Sequence, residues 1–80
     1  MTTYEYKIER VSVLVTAINE PMDWVQEQMN KFGALGQRII GPPIEFQEPG
    51  TVTDANGRAI PYYGVVLFTE IVKEDENVEK

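Results

Sequence analysis

Between Tyr62 and Val72 the chain carries its most strand-like segment, and Val65, Val66, Leu67 and Phe68 within it are apolar at consecutive positions. Side chains alternate between the two faces of a strand, so such a run predicts a strand that needs cover on both sides. The rest of the sequence supplies one amphipathic helix, which can cover one side. The other side is left to the chain's own loops or to a second subunit. This mismatch constrains the fold more than any other feature.

The helix is read from Asn19-Glu20-Pro21 onward. Asn is a good cap for an orphan backbone N–H, and Pro suits the first turn. Glu20 and Asp23 then sit where the helix dipole favours negative charge. Met22, Val25, Met29 and Phe32 follow on one face, with Asp23, Glu27, Asn30 and Lys31 turned away. Gly33 is expected to end the helix in the left-handed conformation.

Before the helix, a first strand is expected from Tyr4 to about Ala17. Its apolar residues occupy even positions at Tyr4, Tyr6 and Ile8, then odd ones at Val11, Val13 and Val15. A β-bulge near Glu9-Arg10 would bring the second set to the same core. After the helix, Gln37 to Ile40 reads as a short strand, broken by Gly41-Pro42-Pro43, which cannot continue a ladder. Ile44-Glu45-Phe46 resumes the alternation. Thr51-Val52-Thr53 and Arg58-Ala59-Ile60 flank Asp54-Ala55-Asn56-Gly57, where Asn-Gly is a strong hairpin signal. The fold class expected is α+β: a single small domain in β-α-β-β order. One helix packs on a three- to four-stranded antiparallel sheet with an added hairpin. The domain is assigned to residues 1–73, and residues 74–80 to an acidic, disordered tail.

At 80 residues a domain buries only about 60% of the surface its unfolded chain exposes, so its stability margin is thin. Cysteine and histidine are both absent, which removes disulfides, thiolate or imidazole metal sites and the usual neutral-pH general base. Oligomerisation is the remaining remedy, and a homodimer is expected, formed by sheet faces or by edge strands. Thirteen acidic residues against seven basic give a formal charge of −6, and no basic cluster offers a phosphate footprint. Direct nucleic-acid binding is not expected. No segment approaches the ~20 apolar residues of a membrane span, and the first residues lack the pattern of a signal peptide. Together with the missing cysteines, these features point to the cytoplasm.

Two stretches are similar to a short bacterial and phage family, domain of unknown function 4177. Members begin with a strand like Tyr4-Glu5-Tyr6-Lys7-Ile8. Their helix ends in a Leu-Asn-x-x-Gly-Ala-x-Gly-Trp-Glu-Leu-Val pattern, which Met29-Asn30-Lys31-Phe32-Gly33-Ala34-Leu35-Gly36-Gln37-Arg38-Ile39-Ile40 resembles here. The closing strand, Tyr62-Tyr63-Gly64-Val65-Val66-Leu67-Phe68, is similar too. The resemblance covers a third to a half of the chain and implies the same β-α-β-β order. Gln37 and Arg38 stand where the family has Trp and Glu, which would leave Trp24 to fill the Trp space. No function is established for that family, so the resemblance implies only a phage or bacterial setting.

For chemistry the inventory is poor. Ser12 is the sole serine and has no histidine to activate it. Glu45 and Glu48 could act as an acid/base pair only if burial or coupling perturbed them. Asp54, Asn56 and Gly57 lack the further carboxylates of a calcium loop. Gly33-x-x-Gly36 follows a helix instead of opening one, unlike a phosphate loop. No catalytic residue, metal ligand or cofactor is assigned, and the chain is read as a non-catalytic protein-interaction module. A phage protein inhibiting a host defence protein through its acidic surface is the sharper form. The alternative is a small-ligand domain with a tyrosine-lined pocket shaped by the 41–61 segment, at a dimer interface. Trp24, Tyr62, Tyr63, Val66 and Phe68 are the candidate interface residues, since large aromatics concentrate at interface centres. The reading preferred for Trp24 is nonetheless that it caps the edge of the core, and for the tyrosines that they form cross-strand pairs.

Overall fold

The structure, a computed structural model, describes residues 2–74. Its elements are β1 (Thr2–Leu14), a 3₁₀ turn (Val15–Ala17), α1 (Pro21–Ala34), β2 (Arg38–Ile39), β3 (Ile44–Glu48) and β4 (Tyr62–Glu74). One helix packs on a four-stranded antiparallel sheet in β-α-β-β-β order, a small α+β domain as the periodicities predict. The apolar run is the centre of this sheet. β4 pairs with β1 along one edge and with β2 and β3, end to end, along the other. Residues 75–80, most of the expected acidic tail, lie outside the described residues, whereas Glu74 still belongs to β4 and pairs with Thr2.

The expected bulge near Glu9-Arg10 is not there. β1 and β4 keep one register from Thr2↔Glu74 to Leu14↔Tyr62. The switch from even to odd apolar positions has a different cause. Val11 and Val13 lie on the helix side with Val65 and Tyr63, while Tyr4, Tyr6 and Ile8 lie on the opposite, open face. The switch marks where the helix begins to cover the strand. The strand also ends at Leu14, and Val15 instead donates its N–H to the Pro61 carbonyl at 3.0 Å from within the 3₁₀ turn.

The lengths of helix and strand set the cover. Fourteen helical residues span about 21 Å at 1.5 Å each. That matches the roughly 20 Å of β4 from Tyr63 to Thr69. The core lies in this overlap: Val25, Tyr63, Val65 and Leu67 are buried, with Trp24, Met29, Phe32 and Ile39 packed against them. The remaining ends of β4 and β1 run on as a two-stranded ribbon with no helix above. Its helix-side surface is polar, carrying the Lys73–Glu5 ion pair at 3.0 Å. The molecule is accordingly long, 66 × 21 × 17 Å with a radius of gyration of 17.2 Å, where a compact chain of this size would have about 12 Å.

The helix ends differ from their expected form. Glu20, not Asn19, is the N-cap residue, and no side chain caps it; Pro21 opens the first turn. Met22 is 69% exposed and takes no part in the core. Gln28 is instead buried beside Val25. The left-handed residue is Gly36, at φ 87°, and not Gly33. Gly36 N–H bonds the Gly33 carbonyl and Gln37 N–H bonds the Phe32 carbonyl, both at 3.0 Å, which is the Schellman pattern.

Between β2 and β3 the prolines interrupt one edge of the sheet. The β2 register with β4 (Ile39↔Thr69) and that of β3 (Ile44↔Val66) differ by an even offset, so both keep their side-chain parity across the break. The hairpin forms as a short loop, bridged at Thr53↔Ala59. Gly57 takes φ 82° there, and Asp54 Oδ1 accepts N–H bonds from Asn56 at 2.8 Å and Arg58 at 3.0 Å.

Candidate functional site

The open face of the sheet is built from the even-numbered residues. On β4 these are Tyr62, Gly64, Val66, Phe68, Glu70 and Val72, flanked on β1 by Leu14 through Tyr4. On the far edge Glu48, Phe46, Ile44 and Arg38 stand opposite Tyr62, Gly64, Val66 and Glu70. Among the described residues, no helix covers this face.

Its two halves differ. Near the 3₁₀ turn a cross-strand clamp closes the surface. Gly64 has no side chain, so the Phe46 ring lies across β4 there; a Cβ at Gly64 would also stand 2.7 Å from the Val11 carbonyl oxygen. Arg10 reaches over from β1, its guanidinium 4.3 Å above the centre of the Phe46 ring, and pairs with Glu48. Toward the ribbon the face is bare. Tyr4 is 55% exposed, Tyr6 63% and Ile8 71%, next to half-buried Phe68 and Val66. Ile44 adds a further exposed apolar side chain on the other edge. Arg38 and Glu70, at 3.8 Å, border the patch.

The candidate interface residues therefore divide between the faces. Tyr62, Val66 and Phe68 belong to the open face. Tyr63 lies beneath the helix at 5% exposure, and Trp24 packs edge-on against it with ring centres 5.5 Å apart. Trp24 thus sits at the edge of the core, about 20 Å along β4 from Gln37. Gln37 fills its own place: it is buried, and its Oε1 accepts the Thr69 hydroxyl at 2.8 Å. The four tyrosines line no common pocket.

Tyr63 carries an electrostatic irregularity in the core. Its hydroxyl is buried without a hydrogen-bond partner in good geometry. Burial pushes the phenol pKa up, and the carboxylate of Glu45, on the same side of the sheet, adds to the shift. In the ribbon, by contrast, the hydrogen bond and charge of Lys73 hold the exposed Glu5 carboxyl below its ordinary value.

Glu45 and Glu48 point to opposite faces of β3, so they do not converge as an acid/base pair. Among the described residues, no three metal-ligating side chains come together. A shallow cleft of about 360 Å³ lies at the start of α1, lined by Ile18, Glu20, Asp23, Trp24 and Glu27 among others. No helix of the described chain is long and apolar enough to cross a membrane.

Sequence reasoning missed the Arg10–Phe46–Glu48 clamp and the buried Gln37–Thr69 pair. A glycine inside an apolar strand, Gly64, was the available signal for the clamp, since such glycines mark close approach. No family model, curated protein or solved structure matches this chain.

Proposed function

We propose that the chain is a non-catalytic interaction module that presents the open sheet face to another protein. The observation carrying this reading is the row Tyr4, Tyr6 and Ile8, each more than half exposed on one face and contiguous with Phe68 and Val66. Contiguous apolar surface of this kind marks interaction sites, and Tyr is enriched in them. Affinity capture from a host lysate, with the wild type beside a Tyr6→Ser/Ile44→Ser variant, tests it. A protein held by the wild type and released by the variant supports the open face. One held equally by both places binding elsewhere.

The narrower reading is inhibition of a host defence protein by acidic residues set in a basic groove. It draws support from the charge of −6 and from Glu20 at the N-cap with Asp23 and Glu27 on α1, all three exposed. Such binding would weaken steeply with added salt. The small-ligand reading asks for a pocket shaped by the tyrosines and residues 41–61, and the cleft beside Trp24 is lined by neither. A melting temperature unmoved across a metabolite and nucleotide screen would count against it.

A further inference from the structure

The outer edge of β1 is open from Thr2 to Leu14, with no strand beyond it among the described residues. Long edges usually carry a proline, a bulge or charges that deter pairing. β1 has no proline, and its register with β4 is unbroken. It does carry charges, and their order selects one partner. Ile8 is the midpoint of the strand. A second copy of β1, laid antiparallel about a two-fold axis through Ile8, brings Lys7 opposite Glu9 of that copy and Glu9 opposite its Lys7. Tyr6 meets Arg10, and every residue from Thr2 to Leu14 acquires a partner.

Neighbouring alignments are worse. An axis through Lys7 sets Lys7 on Lys7 and Glu5 on Glu9, and one through Glu9 sets Glu9 on itself. Like charges directly opposed destabilise a ladder. An axis through Tyr6 leaves Val11 to Leu14 unpaired and relies on Glu5, which Lys73 already holds at 3.0 Å. An axis falling between residues would oppose side chains of different faces. Lys7 and Glu9 have no ion-pair partner of their own among the described residues, where the pairs are Arg10–Glu48, Arg38–Glu70 and Lys73–Glu5.

The same axis also repairs the ribbon. A two-stranded ribbon is marginal in water, and Thr2 to Tyr6 lies beyond the helix. The axis sets this segment beside Arg10 to Leu14 of the second copy, the half backed by the core. Each thin end is thus supported by the other's thick end.

We propose that the chain dimerises with a second copy through antiparallel β1–β1 pairing centred on Ile8, with Lys7–Glu9 ion pairs setting the register. This inference rests on the edge and not on the open-face reading above; the variants below leave Tyr6 and Ile44, which test that reading, in place. Analytical ultracentrifugation across a concentration series should show a dimer. Lys7→Glu and Glu9→Lys should each weaken it about tenfold or more, because each places like charges opposite twice per dimer. The double variant Lys7→Glu/Glu9→Lys should restore it. Paired Cα atoms about 5 Å apart fall within disulfide range, so in this cysteine-free chain Ile8→Cys should cross-link on oxidation, whereas Tyr4→Cys should not. A monomer mass throughout overturns the proposal. So does a dimer indifferent to both reversals, or an Ile8→Cys variant that fails to cross-link.

Discussion

Gly64 is a residue whose missing side chain shapes a whole face. Gly64→Ala would drive its methyl into the Phe46 ring and toward the Val11 carbonyl. The expected cost is about 1–3 kcal/mol, read as a lower denaturation midpoint, with loss of the Arg10–Phe46 stack. Tyr63 makes a second prediction at this scale. Its phenol pKa is raised on folding, so the neutral form contributes its full stability below the unfolded value of about 10. That contribution is lost as pH rises from there toward the folded value. Tyr63→Phe should keep or raise the melting temperature at neutral pH and flatten the alkaline decline. Equal alkaline slopes for wild type and variant would contradict the assignment. These two residues also show what a sequence conceals. Alternation places Tyr63 and Gly64 on opposite faces but cannot say which face receives the helix, so the burial of Tyr63 on the face opposite Tyr62, Val66 and Phe68 is not legible in the sequence.

Among the elements, α1 was the most legible, because a 3.6-residue period and a nearby proline both depend on local sequence. Its ends were less so. Gly33 and Gly36 are equally permissive residues, and the Schellman bonds alone distinguish them. Gly36→Ala should cost about 1–2 kcal/mol, and Gly33→Ala much less, since a Cβ at Gly33 meets nothing within 4 Å. The parity switch in β1 is legible in the sequence, but its cause is not. A bulge and a change of cover produce the same string of residues, and the register with a distant strand decides between them. The junction of α1, β2 and β4 depends on the buried Thr69–Gln37 bond. Thr69→Val would leave the Gln37 amide without that partner at a cost of about 1–3 kcal/mol. Thr69→Val with Gln37→Leu should recover most of it in a double-mutant comparison of unfolding free energies.

For the whole molecule, the decisive quantity is the difference between helix length and strand length. The sequence predicted an apolar surplus on β4, and the structure locates it: Val65 and Leu67 are buried on the side of α1, while Val66 and Phe68 stay half-buried on the open face. Hydrogen exchange should follow this gradient. Amides from Tyr63 to Thr69 should exchange slowest and those from Ile71 to Lys73 fastest within β4. Uniform protection along β4 in dilute protein would oppose it. β4 has a further consequence in time. Every other strand pairs with β4 and with nothing else described, so Leu14 must wait for Tyr62 and Thr2 for Glu74. During synthesis, then, no part of the sheet can assemble until the last strand arrives. Such non-local pairing is slow, and β1 spends the interval as a long unmatched strand, open to the wrong partner. A chain stopped before Tyr62 would lose the entire sheet, not one strand of it.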